Sequence, residues 1–215
     1  MKLYDYFRSS AAFRVRIALG LKGLTAAREF VHLRRKDQLG AAYKAVNPMG
    51  LVPSLADDDG TIVTQSLAII EYLDETRPVP PRLLPTDPAG RARVRAIALA
   101  IACEIHPLNN LRVLRHIDSS FGTDEETRTR LWYRHWIDEG LDGVEAMLAG
   151  HAATGRFGHG DAPTLADCCI VPQLYNARRF GADMTRWPVL ARIEATCLAL
   201  PAVQAALPEN QPDAE

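Results

Sequence analysis

Residues 3–23 read LYDYFRSSAAFRVRIALGLKG, an apolar strand pattern that passes through Arg8, Ser9 and Ser10 directly into an amphipathic helical pattern. A helix N-terminus exposes unpaired backbone N–H groups and the positive end of the helix dipole. Serine is a favoured N-cap residue, and the same position can bind an anion. The two serines are therefore predicted either to cap the helix or to help hold an anion.

The elements around this stretch predict a small α/β domain. A strand, a helix and a second strand form a βαβ unit, and DDDG at 57–60 between two β-rich runs is typical of a hairpin. The predicted elements are strand 2–6, helix 11–22 closed by Gly23, strand 28–32, strands 52–56 and 61–64, and helix 66–75. This order matches a thioredoxin-like domain.

A proline-rich segment at 76–85 marks the one shift in composition along the chain. Because proline interrupts helices and central strands, we predict a boundary within 76–88, between a thioredoxin-like domain at 1–80 and a second domain at 88–215. Beyond it, apolar residues recur at helical spacing, which predicts an all-helical bundle. The three apolar sets are Ile97, Ile101, Ile105 and Leu108; Ile137, Leu141, Val144 and Leu148; and Leu190, Ile193 and Cys197.

Composition excludes several classes of protein. The chain has 215 residues, 47% of them hydrophobic, and a formal net charge of -1, which gives no electrostatic case for binding nucleic acid or an acidic membrane. The apolar runs are too short and too broken by charge for a transmembrane span, and the N-terminus is predicted to be a strand of the fold rather than a signal peptide. We therefore expect a soluble, cytoplasmic protein.

The cysteines are predicted to be structural. Cys103, Cys168, Cys169 and Cys197 are embedded in apolar helical patterns, whereas a secreted disulfide framework would be denser in a smaller chain. No spacing of cysteines and histidines resembles a zinc site, so no metal is predicted.

Three features of the C-terminal half concern folding rather than chemistry. Thr164 precedes a helical pattern with Asp167 three positions later, which is typical of a capping box. Pro172 lies inside the same pattern and is expected to kink the helix. Residues 207–215, rich in proline and acid, are expected to be mobile, with their relation to any site left open.

Four motifs in this order resemble the zeta class of glutathione transferases. They are FRSS with FRVRIAL at 7–10 and 13–19, NPMGLVP at 47–53, QSLAIIEYL at 65–73, and DCCIVPQ with NARRF at 167–173 and 176–180. The class contains the isomerases for maleylacetoacetate and maleylpyruvate. The resemblance implies the glutathione transferase fold, α/β plus all-α, with glutathione as cofactor and a homodimeric assembly.

The resemblance places most cofactor contacts in the first domain. It implies that the Ser9 hydroxyl donates to the glutathione sulfur and so favours the thiolate, with Ser10 as the alternative. Val52 and Pro53 resemble a cis-proline turn whose backbone binds the cysteinyl part, and the helix start at Gln65-Ser66 suits the γ-glutamyl carboxylate. The remaining implied cofactor contacts are Ala11, Gln38, His106, Asn110 and Arg112. For Gln38, a contact with the glycyl end competes with a solvated loop glutamine.

The arginines indicate a carboxylated substrate, because carboxylates need charge-assisted and preferably bidentate partners. By resemblance, Arg8 and Arg179 bind the carboxylates of a maleyl keto acid and stabilise the enolate that forms when the thiolate adds to its double bond. The former double bond is then single, so it can rotate before the thiolate leaves. His106, implied to share a cleft-facing helix with Asn110 and Arg112, is either a proton donor or a polar contact. Arg115 and Arg178 are expected to be solvated surface.

Two departures from the zeta pattern refine this hypothesis. Ala11 stands where zeta enzymes commonly have a cysteine, so the thiol must come from glutathione, and His106 stands where many relatives have glutamine. Maleylpyruvate is the first expected substrate and maleylacetoacetate the alternative, since no motif separates them. A glutathione-conjugating transferase or dehalogenase, and a non-catalytic scaffold of the same fold, are the competing functions.

Overall fold

The strands predicted between residues 2 and 64 form one four-stranded sheet in the computed structural model, which describes all residues 1–215. They are β1 (Lys2–Asp5), β2 (Ala27–Phe30), β3 (Ser54–Ala56) and β4 (Ile62–Thr64), in the spatial order β2-β1-β3-β4. β1 and β2 run parallel, and β3 is antiparallel to both β1 and β4. The predicted βαβ unit and hairpin are both confirmed.

The first part of the chain also contains three helices: α1 (Ser10–Leu21), α2 (Ala41–Val46) and α3 (Ser66–Thr76), of which α3 packs against β3 and β4. α2 and a 3-10 turn at Asp37–Leu39 lie in a segment that the sequence pattern left without regular structure. The sequence predicted that α1 is amphipathic, and this is wrong because every residue from Ala12 to Leu19 is buried. Its buried side chains include two arginines, Arg14 and Arg16, which its apolar surroundings did not predict.

The chain divides into two compact units after Pro85, within the predicted boundary segment. The first unit comprises Met1–Pro85 together with Leu198–Glu215, and the second comprises Thr86–Cys197. The prediction that residues 88–215 form one domain therefore differs from the packing at its C-terminal end. The reason is α10 (Pro201–Ala206), which packs against α1.

The packing of α10 on α1 is close and polar as well as apolar. A Cβ atom added at Gly20 of α1 would lie 3.1 Å from the Cβ of Ala202, so the absence of a side chain there lets the helices approach. The guanidinium of Arg16 donates from Nε to the carbonyl of Ala206 at 3.0 Å. The segment that follows α10, expected to be mobile, also lies against the first unit, with Gln211 buried.

The second unit is helical, as predicted. Its elements are α4 (Pro88–Leu99), a π-helical turn (Ala100–Ile105), α5 (Leu111–Phe121), α6 (Glu125–Arg128), a second π-helical turn (Thr129–Tyr133), α7 (Arg134–Leu148), α8 (Leu165–Arg179) and α9 (Pro188–Leu198), whose last residue belongs to the first unit. All predicted apolar positions are buried except Leu108, which is half-buried. α8 continues through Pro172, and its predicted capping box is present at Thr164 and Asp167.

The prediction of buried cysteines holds for three of the four. Cys168, Cys169 and Cys197 are buried, whereas Cys103 is exposed. Burial raises the pKa of the Cys168 and Cys197 thiols well above the usual range, so both stay protonated and unreactive at neutral pH. Cys103 departs from the prediction because it lies in the π-helical turn, where the spacing of buried positions changes. No helix of the structure is long and apolar enough to span a membrane.

Candidate functional site

Ser9 is the N-cap of α1. Its Oγ accepts a hydrogen bond from the backbone N–H of Ala12 at 3.2 Å, and its own N–H donates to the carbonyl of Tyr6 at 2.9 Å. A hydroxyl carries one donor and two acceptor lone pairs. Capping therefore uses an acceptor lone pair and leaves the O–H proton to donate to a neighbouring atom. The two roles that the sequence left as alternatives are compatible at this residue.

The residues beside Ser9 are partly exposed to solvent. Ser10 is the first residue of α1, and Arg8, Ser10 and Ala11 are all half-buried. The guanidinium of Arg8 lies 5.0 Å from the centroid of the Phe7 ring, a geometry in which the ring attracts the cation. Burial raises the pKa of the neighbouring Tyr6 hydroxyl, with the positive charge of Arg8 opposing that shift. The charge of Arg8 thus acts on the Tyr6 hydroxyl.

Gln65 and Ser66 lie where β4 gives way to α3. Gln65 has a φ of 70°, a left-handed conformation that costs energy for a residue other than glycine. Ser66 is buried, and its Oγ accepts a hydrogen bond from Nη1 of Arg14 at 3.2 Å. Arg14 thus connects α1 to the start of α3 and places a buried positive charge beside the N-terminus of α3.

Val52 and Pro53 are joined by a cis peptide bond, as the motif predicted. Both residues precede the paired part of β3, which begins at Ser54 opposite Tyr4. Their backbone therefore extends beyond the ladder between β1 and β3, where it can pair with an extended ligand.

Gln38 is buried, with 7% of its surface exposed, so the solvated alternative is wrong. The backbone carbonyl of Gln38 would lie only 2.9 Å from a Cβ atom added at Gly50, whose φ is +61°. The absence of a side chain at Gly50 therefore lets the 3-10 turn contact the loop that leads to Val52. The Oε1 atom of Gln38 is buried without a hydrogen-bond partner, a polar group that invites a ligand or a water molecule.

The second unit carries the other predicted residues, but not on one helix. The π-helical turn ends at Ile105, and His106 completes it by donating its N–H to the carbonyl of Ile101 at 2.9 Å. Asn110 is the N-cap of α5, and its side chain accepts from the N–H of Arg112 at 3.1 Å. His106 and Asn110 are half-buried and Arg112 is exposed. The single helix expected here is wrong because the chain turns between residues 106 and 110.

Arg179 ends α8 and is exposed. Its guanidinium lies 4.9 Å from the centroid of the Phe180 ring, which stacks on the Tyr133 ring at 3.8 Å. The Tyr133 hydroxyl and the buried Asn176 amide exchange hydrogen bonds of 3.0 and 2.7 Å. Burial raises the pKa of Tyr133, so the hydroxyl stays neutral and able to donate. Arg179 thus contacts the Phe180 ring, which is itself fixed by stacking on the hydrogen-bonded Tyr133.

Arg178 differs from its neighbour. It forms two hydrogen bonds with the carboxylate of Glu194, the first of them 2.8 Å long, and Glu194 is only 3% exposed. The sequence predicted that Arg178 is solvated surface, and its side chain is exposed. The sequence did not predict that α9 places the buried carboxylate of Glu194 within its reach. Of the two adjacent arginines, one is therefore structural and the other remains available to a ligand.

The chain matches both domains of a known family. Residues 8–76 match the family model for the glutathione S-transferase N-terminal domain, and residues 130–205 match the model for the C-terminal domain. The chain belongs to the glutathione S-transferase family.

Similar proteins refine that membership to the zeta class. A probable maleylacetoacetate isomerase from Vibrio cholerae is 51% identical, with 99% of this chain and 97% of that protein aligned. The holo structure of a bacterial zeta-class maleylpyruvate isomerase is 46% identical over all of both chains, with a TM-score of 0.96. A maleylacetoacetate isomerase from Methylobacterium extorquens AM1 with bound malonate and glutathione is 43% identical, also over all of both chains with a TM-score of 0.96. The zeta-class resemblance is confirmed.

This glutathione S-transferase contains supporting residues that sequence reasoning missed. Arg14 lies within the FRVRIAL motif at 13–19 and has no predicted role, although a charged residue in an otherwise apolar helix indicates a buried partner. Tyr133 was missed altogether, because its link to Asn176 joins positions 43 residues apart and leaves no local pattern. Within the second unit, Asn109 donates to the carbonyl of Tyr133 at 3.2 Å, and Trp132 donates to the carbonyl of Leu108 at 2.9 Å. These hydrogen bonds connect the residues that follow His106 to Tyr133, whose ring stacks on Phe180 next to Arg179.

A groove of about 880 Å³ also opens in the helical unit of this transferase, lined by Arg130, Arg134, His135 and Phe180 among others. None of the predicted site residues lines it. Its lining mixes acidic and basic side chains, including Glu125 and Asp138, and it therefore presents no surface selective for one charge.

Proposed function

We propose that this protein is a glutathione-dependent cis–trans isomerase of a maleyl keto acid, with maleylpyruvate as its substrate and fumarylpyruvate as its product. Maleylacetoacetate is the second candidate substrate. The observation that carries the proposal is the geometry of Ser9, whose oxygen caps α1 while its proton stays available beside the positive end of the helix. Such a group favours a bound thiolate over a thiol.

The residues of the first unit fit glutathione. The backbone at Val52 and Pro53 lies beyond the paired strand, the buried Oε1 of Gln38 lacks a partner, and Ser66 begins a helix beside the Arg14 guanidinium. These features offer strand pairing for the cysteinyl part, amide contact for the glycyl end, and a positive environment for the γ-glutamyl carboxylate. When bound, glutathione supplies the thiolate that adds to the double bond and leaves again after rotation.

The arginines carry the specificity for the substrate in this proposal. Arg8 and Arg179 bind its carboxylates and stabilise the negative charge that develops on the keto group, a role worth a few kcal/mol for each well-placed donor. Stacking on Phe7 and Phe180 restricts both side chains, which reduces the entropy lost when they bind. His106, Asn110 and Arg112 add polar contacts, with His106 as the candidate proton donor. Three similar proteins are named as isomerases of maleyl keto acids, and one of the three was solved with malonate, a dicarboxylate.

The test is an absorbance assay with purified protein, maleylpyruvate and a catalytic amount of glutathione. We expect many turnovers per glutathione molecule, with free glutathione unchanged at the end of the reaction. Stoichiometric loss of glutathione would instead identify a conjugating transferase, and turnover without any glutathione would contradict both functions. Parallel assays with maleylacetoacetate rank the two substrates by kcat/KM.

The proposal includes a cytoplasmic homodimer. Large apolar side chains are exposed on each unit, among them Ile62 on the first, 45% exposed, and Leu99 on the second, also 45% exposed. Exposed apolar surface of this kind supports association between subunits. Analytical ultracentrifugation is expected to show a species of twice the 23.7 kDa chain mass, and a single monomeric species would contradict the dimer.

A further inference from the structure

The C-terminal tail, residues 207–215, returns to the sheet of the first unit and is anchored there by Gln211. The Gln211 amide donates to the carbonyls of Ala205 and Leu207, both at 2.8 Å, and its Oε1 accepts from Arg28 at 3.1 Å. Gln211 is only 7% exposed. Three hydrogen bonds at a buried side chain fix the path of the chain immediately before Asp213.

Asp213 reaches the turn that carries the predicted thiolate partner. Its Oδ2 accepts a hydrogen bond from the backbone N–H of Phe7 at 2.9 Å, between residues 206 positions apart. On the other side, the Phe7 carbonyl accepts from Nη2 of the buried Arg16 at 2.9 Å. Both polar groups of the Phe7 backbone are therefore held, one by the tail and one by α1.

The turn is closed at its other end by Ser9 itself, whose N–H donates to the carbonyl of Tyr6 at 2.9 Å. Phe7 thus lies between the two ends of a tight turn that also contains Arg8. Because Arg8 follows Phe7 directly and Ser9 follows Arg8, a displacement of Phe7 would be transmitted to both. Hydrogen-bond strength falls steeply with distance and angle, so a small displacement would weaken a contact between Ser9 and a sulfur atom.

The charges around Asp213 support this placement. Arg28, on β2, pairs with the buried carboxylate of Asp5, and the negative charge of Asp213 raises the pKa of Arg28 against the effect of burial. Glu215, two residues further on, lies 2.6 Å from His32. The contact of Glu215 is more exposed than that of Gln211, and solvent therefore weakens it more.

We propose that Asp213 is a positioning residue that fixes the turn carrying Arg8 and Ser9. The proposal rests on the proposed role of Ser9 as the partner of the glutathione sulfur. It assigns to the end of the chain a part in glutathione activation that its composition, rich in proline and acid, does not suggest.

The test measures the bound cofactor directly. Ultraviolet absorbance of the thiolate, followed against pH with saturating glutathione, gives the pKa of the bound thiol in wild type and in Asp213→Ala. We expect the thiolate fraction at neutral pH to fall roughly threefold to tenfold in Asp213→Ala. kcat should fall in parallel, while KM for glutathione changes less than about twofold because the other glutathione contacts are untouched.

Conservative variants distinguish the effect of the position of the Asp213 oxygen from the effects of its negative charge and of lost protein stability. Asp213→Asn keeps an oxygen that can accept the Phe7 N–H and should restore most of the thiolate fraction, whereas Asp213→Glu displaces that oxygen and should be intermediate. Glu215→Gln, in the same tail but away from the turn, is the matched control and should behave as wild type. A lower melting temperature in Asp213→Ala with an unchanged thiolate fraction and kcat would overturn the proposal, as would failure of Asp213→Asn to restore them.

The thiolate titration needs glutathione binding but no isomerase reaction. If wild type binds glutathione as thiolate yet does not isomerise maleylpyruvate, the proposed function fails while the titrations of the Asp213 variants still test the positioning role. If Asp213→Ala does not fold, as judged by circular dichroism, the graded series from Asp213→Asn to Asp213→Glu provides the same comparison.

Discussion

The Oγ atom of Ser9 accepts a hydrogen bond from the backbone N–H of Ala12 at 3.2 Å, which caps α1 and leaves the hydroxyl proton free to donate. The same side chain can therefore stabilise the helix and a thiolate. Experiments must separate the two contributions, because removal of the hydroxyl affects both.

We expect Ser9→Ala to lower isomerase turnover at least about tenfold through loss of the thiolate donor. Loss of the cap should also lower the free energy of unfolding by about 1 kcal/mol. Ser9→Gly removes the same hydroxyl, but glycine at an N-cap costs only a few tenths of a kcal/mol. Ser9→Gly should therefore lose turnover while nearly keeping its stability. Wild-type turnover in either variant would remove Ser9 from the chemistry, and a tenfold loss in Ser10→Ala alone would transfer the role to Ser10.

Arg179→Ala should raise KM for maleylpyruvate about tenfold or more, since a charge-assisted contact to a carboxylate is lost. Its melting temperature should stay close to that of wild type, because Arg179 is exposed and its guanidinium contacts the ring of the adjacent Phe180. Arg178→Ala is the matched control. It breaks the pair with the buried Glu194, and should lower the free energy of unfolding by about 1–2 kcal/mol with unchanged KM. Unchanged steady-state kinetics in Arg179→Ala would exclude this arginine from the substrate site.

Tyr133→Phe should lower the free energy of unfolding by about 1–3 kcal/mol, because the buried Asn176 amide loses its partner. It should also raise KM for the substrate, because the ring that stacks on Phe180 next to Arg179 is no longer fixed by hydrogen bonds to Asn176. The double variant with Asn176→Leu removes both polar groups and should recover part of the lost stability. Urea denaturation of the four proteins provides the double-mutant cycle, and additive losses would show that the two side chains do not interact.

The stability of the protein in acid should depend on Asp57. Hydrogen bonds from Arg77 and Tyr72 hold the pKa of this carboxyl well below its usual range. Because the pKa is lower in the folded state, the stabilisation is present above the usual aspartate value, about 4, and is lost as the pH falls below it. We expect Asp57→Asn to be about 1 kcal/mol less stable at neutral pH, with a smaller further loss in acid.

The melting temperatures of wild type, Asp57→Asn and Arg77→Met, followed between about pH 7 and pH 3, test this. Parallel acid profiles for wild type and Asp57→Asn would contradict it.

Local patterns predicted much of the first unit. The apolar and β-rich runs located the strands to within two residues, and DDDG at 57–60 located the hairpin between β3 and β4. Such features depend on interactions between residues close in the chain, so they can be inferred from sequence. The zeta-class motifs added the cofactor residues, of which Val52 and Pro53 show the expected cis peptide bond. The roles of these residues with glutathione remain predictions for the experiments above.

The sequence by itself determined the order of the strands and main helices of the first unit, the boundary segment at 76–88 and the class of protein. It left open whether Ser9 or Ser10 caps α1. Only the tertiary structure decided that Gln38 is buried, that Arg14 bonds to Ser66 and that Arg178 pairs with Glu194. It also decided that the tail docks on the first unit through Asp213 and Phe7. Each of these contacts joins residues brought together by packing. The free energy of burying a polar group depends on which partner the fold places beside it, and a single sequence does not contain that information in any local pattern.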